Sequence, residues 1–324
     1  MDKMEQIRKP IEADLERYLS LFEKDFTHEN PLLHLALQHI RKRQGKRLRP
    51  ILTLLSAAAL GKVEEAVLHA CVSLELVHTA SLVHDDIVDE SNMRRGQESV
   101  NVLLSPQAAV LVGDYLLAKS LQHSAQTRNV DVVSCIAAAS ELLSDGELIQ
   151  LYALDSDKIE ESVYYKVIER KTASLFSTCA KLGAMLGGGT PEQIEVLRLF
   201  GEYLGVAFQI RDDMLDYTDS ATLGKPAGND MVEGKLTLPV IYAVNKSADE
   251  AMYQLALKVR RTEASAEEIA QLVKFTLEQG GLEYAAQCME QYAARACELL
   301  SRLPQSEYTE ALRQFAGLVV KRDK

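Results

Sequence analysis

The chain has 324 residues, 47% apolar and 26% charged, which excludes a disordered or collagen-like polymer. A net charge of -11 argues against general binding to nucleic acid or an anionic membrane. No run reaches the ~18 consecutive apolar residues of a membrane span.

Residues 1–18 are charged throughout, unlike a signal or transit peptide. Punctuation then falls at Asn30 and Pro31, Gly45, Gly61, Ser105 and Pro106, Gly187 through Pro191, and the polar stretch 219–234. Between these points apolar residues recur at spacings of three and four, the helical period. Residues 64–83 read as a long helix, apolar almost all round in its second half and therefore buried. Residues 107–123, 130–154, 160–186, 192–217 and 236–246 read the same way. The tail, 248–324, reads as three or four more helices broken near Thr262, Gly280, Gly281 and Pro304. Alternating strand patterns are essentially absent. The expectation is an all-α chain, a single domain over 1–324 with ten or more helices. The five cysteines, Cys71, Cys135, Cys179, Cys288 and Cys297, form no Cys-x-x-Cys pair. Their odd count predicts reduced thiols and a cytoplasmic location.

Two stretches, His84–Glu90 and Arg211–Tyr217, each carry Asp-Asp-x-x-Asp at the end of an apolar helix. Asp85 and Asp89 are four apart, as are Asp212 and Asp216, so each pair stands on one helix face. Like charges at that spacing repel, and neither cluster holds a basic partner at i±4. A divalent cation is the simplest neutraliser. Carboxylate-only ligands suit Mg, Ca or Mn rather than Zn or Cu. Mg²⁺ is commonly held by one or two carboxylates, with waters and substrate phosphates completing the shell. A solvated acidic helix end remains the plain alternative for one cluster, and two copies weigh against it. An EF-hand loop is absent, and a di-iron bundle would need a second Glu-x-x-His.

Local cations accompany these carboxylates. Residues 41–50 hold six basic side chains in ten. Arg94 and Arg95 follow the first aspartate cluster, Lys171 lies inside a helix, and Lys225 and Lys235 flank the second cluster's loop. Arginine's planar fork and lysine's point charge both suit phosphate.

Together these blocks (GKRLRP, LVHDDIVDESNMRRG, KTASLF, FQIRDDMLDY and GKPAGNDMVEGKLTLP, in that order) resemble the trans-isoprenyl diphosphate synthases, most closely the bacterial long-chain, octaprenyl type. The resemblance covers residues 41 to 240 most strongly. It implies a helical bundle around a deep central cavity, a homodimer, and three Mg²⁺ ions. Asp85 and Asp89 would hold two ions and Asp212 the third, all on an allylic diphosphate. Asp86, Asp213 and Asp216 would act through water or as supports. Arg94, Lys171 and Lys235 would face the allylic diphosphate, while Lys46, Arg49, His78 and Arg95 would hold isopentenyl diphosphate. Thr172 and Gln209 match positions that stabilise the developing cation, and Lys225 would close over the site with its loop.

The implied reaction ionises the allylic diphosphate, joins isopentenyl diphosphate to the cation, and passes a proton to the released diphosphate. Farnesyl or geranylgeranyl diphosphate is the expected primer, and a quinone side chain the expected use. Stepping back from Asp85 along the helix reaches Ser81, His78, Val77 and Leu74, with Ala80 beside them. Small side chains at Ala80 and Ser81, above Val77, would let a long tail pass, or would simply permit close helix packing. A C30 to C50 product is the expectation. The alternatives are a class I terpene cyclase and a non-catalytic subunit of a heteromeric synthase. The intact second Asp-Asp-x-x-Asp disfavours both.

Overall fold

The computed structural model describes residues 3–42, 45–94, 96–217 and 228–320. In chain order the helices are α1 (Lys3–Arg8), α2 (Glu12–Phe22), α3 (Pro31–Lys42), α4 (Leu48–Ala58) and α5 (Glu65–Val88). A two-residue hairpin, β1 (Met93–Arg94) with β2 (Gln97–Glu98), precedes α6 (Val100–Leu103), α7 (Pro106–Gln126), α8 (Val130–Leu154) and α9 (Glu161–Ile168). A π-helical turn over Glu169–Ala173 leads into α10 (Ser174–Leu186) and α11 (Pro191–Leu215). The remainder is α12 (Asn229–Val232), α13 (Leu238–Ser247), α14 (Glu250–Arg260), α15 (Ala266–Glu278), α16 (Gly281–Leu299) and α17 (Glu307–Val320).

The ends of these helices follow from local chemistry. Pro106 opens α7 behind Ser105, whose hydroxyl accepts from the Ala108 amide. Ser265 and Glu268 form a capping box on α15, and Asp249 caps α14. The tail breaks where expected, around Thr262, Gly280 and Pro304.

The residues fall into two compact units. The first comprises residues up to Glu141, with Leu175–Gly201 and Cys297–Leu318. Its centre is α5, packed along α7 and against α4 and α2. By length and composition α5 is also the one helix among the described residues that could cross a membrane. Its burial, with Val67, Val72, Leu74 and Leu76 almost wholly covered, is that of a core helix. The stripe of α5 that meets α7 carries His69, whose Nδ1 lies 2.8 Å from Nδ1 of His123. Further along, Ser73 donates to the Ser120 carbonyl. His84 closes the stripe over Gly113, where any Cβ would clash with the imidazole at 2.1 Å.

The second unit comprises Leu142–Ser174 and Glu202–Ala296. Its core joins Ile168 and Ala173 to Val206, Ile210, Leu238, Val240 and Leu272. That core fixes the π turn and the C-terminal end of α11.

Candidate functional site

Within the first unit the acidic cluster occupies the last turn of α5, where Asp89 follows Val88 and its amide donates to the Asp85 carbonyl. This is the negative pole of a helix, so three aspartates there are unfavourable without a cation. Asp85 and Asp89 are partly exposed, whereas Asp86 is 1% exposed and ion-paired with Arg94. Arg94 thus gives Asp86 a basic partner that the i±4 spacing does not show. The hairpin returns Arg94 to it from eight residues downstream. Asn101 supports this arrangement by donating to the carbonyls of Asp86 and Ser91. The sequence reading did not single it out.

The basic loop of the same unit reaches α4 through Arg47, which sits in the left-handed region at φ 56. Lys46 is exposed before it, and Arg49 follows in the first turn of α4 with its guanidinium 5.2 Å above the Phe176 ring. Thr53 donates to the Arg49 carbonyl. His78 lies on α5 two turns before Asp85, and its carbonyl accepts from the Ser81 hydroxyl. Ser81 is partly exposed, while Val77 and Ala80 are covered, at 2% and 0%. Ala80 shares the α7-facing stripe of His69, Ser73 and His84, since eleven, seven and four residues return to nearly one angle.

Within the second unit the π turn carries Lys171, whose ammonium pairs with Glu147 and donates to Gln150 Oε1 at 3.2 Å, both on α8. Gly146 makes this approach possible: a Cβ there would lie 2.7 Å from Lys171 Cγ. Next to Lys171, Thr172 donates to Gln209 Oε1 at 2.7 Å. Gln209 in turn donates to Asp213 Oδ1 at 2.8 Å, and Tyr164 donates to Asp213 Oδ2 at 2.6 Å. Burial pushes the Asp213 carboxyl up to about 7; the Tyr164 and Gln209 hydrogen bonds pull it down, while Asp212 and Asp216 push it up. Asp216 accepts from the amides of Asn229 and Asp230, both at 3.0 Å. Asp212 is exposed.

Three residues that the sequence reading passed over belong to this constellation: Tyr164, Glu147 and Asp230. Burial pushes the Asp230 carboxyl up to about 8, with Asp216 and Asp213 adding to the rise and Lys235 opposing it. Lys235 pairs with Glu233 at 2.8 Å, and its amide donates to the Asp230 carbonyl. Spacing could have flagged Asp230, which lies five residues before Lys235 in one polar block. Tyr164 and Glu147 lack any local signal, because each reaches its partner from another helix. Arg95 and Lys225 lie outside the described residues.

Among the described residues no three His, Cys, Asp or Glu side chains are gathered into a ready-made metal cage. The donor chemistry nonetheless fits a hard cation. Asp85 and Asp89 in one unit, and Asp212 in the other, are carboxylates at helix C-terminal ends, and Mg²⁺ draws the rest of its shell from water and phosphate.

A model of the polyprenyl synthetase family matches residues 30–276. An octaprenyl diphosphate synthase from Haemophilus influenzae is 34% identical over 99% of this chain and 97% of its own. Among solved structures, a geranylgeranyl pyrophosphate synthase from Bacteroides thetaiotaomicron is 44% identical, with a TM-score of 0.87 and 99% of both chains covered. A decaprenyl diphosphate synthase from Rhodobacter capsulatus is 35% identical, with a TM-score of 0.92 over 98% of this chain and 99% of its own.

Proposed function

The chain belongs to the polyprenyl synthetase family, has its all-α isoprenoid synthase fold, and we propose that it elongates an allylic diphosphate with several isopentenyl diphosphates into a long all-trans polyprenyl diphosphate. One observation carries the reading. Every acidic and basic position singled out from the sequence, from Lys46 to Lys235, lies within the matched residues 30–276. Sequences that match over this whole span include octaprenyl and nonaprenyl synthases. A terpene cyclase has no use for a second diphosphate pocket at Lys46 and Arg49.

In this reading the chain acts as one functional domain, although its residues fall into two compact units. Asp85, Asp89 and Asp212 would hold Mg²⁺, three ions by family resemblance, and bound Mg²⁺ would supply positive charge for the departing diphosphate. Lys171 and Lys235 hold the allylic diphosphate, the ammonium of the first positioned by Glu147 and Gln150. Arg94 orients Asp86 and faces the same diphosphate. Lys46, Arg49 and His78, with Arg95, hold isopentenyl diphosphate. Thr172 and Gln209 present oxygen atoms toward developing positive charge, an arrangement fixed by Asp213 and Tyr164. The released diphosphate, itself a base, takes the proton.

Ser81, with Val77 and Ala80 behind it, sets product length. Ser81→Phe and Ala80→Phe should each shorten the product; unchanged length removes the stripe from this role. The chain works as a homodimer. On α7, Leu111 is 68% and Leu121 55% exposed, apolar side chains of the kind that interfaces cover. Light scattering should give about twice the 35.9 kDa chain mass. The five free cysteines support a reducing, cytoplasmic setting, and a quinone side chain is the expected destination of the product.

The test is incorporation of labelled isopentenyl diphosphate with Mg²⁺ by the wild type and by Asp85→Asn and Asp212→Asn. Incorporation by the wild type and a loss of roughly a hundredfold or more in each variant are expected. Full activity in either variant overturns the aspartate assignment.

A further inference from the structure

We propose that Arg8, from the first helix, is a positioning residue for the isopentenyl diphosphate site. The inference rests on the functional reading above, and extends it to a part of the chain that precedes the family-matched residues 30–276.

Arg8 ends α1, and its Nη2 donates to the carbonyl oxygen of Lys46 at 2.9 Å, across 38 residues of sequence. That carbonyl belongs to the peptide unit joining Lys46 to Arg47. A peptide unit is planar, so holding its oxygen sets ψ of Lys46 and φ of Arg47 together. Arg47 is the residue in the left-handed region, at φ 56, a conformation that L side chains other than Asn and Asp enter at a cost. A hydrogen bond from a charged donor offsets such strain. The turn it fixes aims two diphosphate ligands: Lys46 on one side and Arg49, in the first turn of α4, on the other.

The tether is itself anchored. Ile7 and Ile11 flank Arg8 and are each 1% exposed, while Tyr18 and Phe22 on α2 are buried. The short 3-10 turn at Lys9–Ile11 and α2 both pack against α4, and α2 also packs against α5. Arg8 thus projects from a fixed scaffold to a fixed carbonyl, whereas its neighbour Lys9 is exposed. The N-terminal helices act as a brace for the basic loop and do not touch substrate.

The experiment compares Arg8→Ala, Arg8→Gln and the charge-matched control Lys9→Ala with the wild type. Initial rates are taken with isopentenyl diphosphate varied at saturating farnesyl diphosphate, then the reverse, alongside thermal melts. The expected result is a rise of roughly tenfold in KM for isopentenyl diphosphate in both Arg8 variants. KM for farnesyl diphosphate should stay within about twofold, and Lys9→Ala should behave as the wild type. The proposal is overturned if both KM values move together, if only the melting temperature falls, or if Lys9→Ala matches Arg8→Ala. Should Arg8→Ala fail to fold, Arg8→Gln carries the same comparison, because its amide is too short to reach the Lys46 carbonyl. A wild type that does not elongate sinks the functional reading instead, so the two failures are distinguishable.

Discussion

Gln209 is the hinge of a hydrogen-bonded line running from Thr172 through Asp213 to Tyr164. Gln209→Leu leaves a buried hydroxyl and one carboxyl oxygen without this partner, at a cost of about 1–3 kcal/mol. The predicted outcome is a fall in kcat of roughly tenfold to a hundredfold with an unchanged circular dichroism spectrum. A kcat within twofold of the wild type removes Gln209 from the mechanism. The Asp86–Arg94 pair makes a different prediction, about folding. Arg94→Met removes the ion-pair partner of a buried carboxylate and should destabilise by about 3 kcal/mol in urea unfolding, with Asp86→Asn in the same chain recovering most of the loss. An unshifted urea midpoint in the single variant contradicts the pairing. Asp86 also shows where sequence spacing stops informing. The i±4 rule finds no base near it, and only the reversal at Met93–Glu98 brings Arg94 back.

Helix order and most helix breaks were legible because α5, α8 and α11 carry long apolar faces, and the tail carries capping residues and Gly280. The stretch 160–186 read as one uniform helix, yet Glu169–Ala173 is a π turn. Composition has no signature for it: the turn depends on Gly146, on another helix, admitting Lys171 and Arg170. Gly146→Val should therefore push Lys171 away from Glu147 and Gln150. The expectation is a raised KM for the allylic diphosphate and a stability loss of about 1–3 kcal/mol; unchanged values for both would separate the turn from the glycine.

Where α5 meets α7, His69, His123 and Asp25 form a second line of contacts, with Lys119 on Asp25. Burial, then the neighbouring His123, holds the His69 pKa below its ordinary value, with Glu65 and Asp25 opposing. A depressed histidine pKa means that folding favours the neutral form. The stabilisation is thus complete above the unfolded value of about 6.5 and is lost as pH falls toward the folded value. Asp25 shifts in the same sense. Burial raises its pKa, but the His123 and Lys119 contacts outweigh that and leave it lowered. Its contribution goes at still lower pH. The wild type should lose more in melting temperature between pH 7.5 and 5.5 than His69→Gln. Parallel curves would show that His69 does not titrate on unfolding.

For the chain as a whole, chelation of divalent cations should abolish turnover while leaving the helical signal intact, because side-chain caps and buried apolar packing hold the helices. A chain that keeps turning over in excess chelator has no need of the aspartate pairs. Product length is the sharpest question, since the relatives include both a geranylgeranyl pyrophosphate synthase and an octaprenyl diphosphate synthase. The deciding measurement is mass analysis of the products from farnesyl diphosphate, excess isopentenyl diphosphate and Mg²⁺. All-trans polyprenyl diphosphates of C30 to C50 are predicted. A folded enzyme that yields no elongated chain, or a cyclised hydrocarbon in its place, contradicts the account.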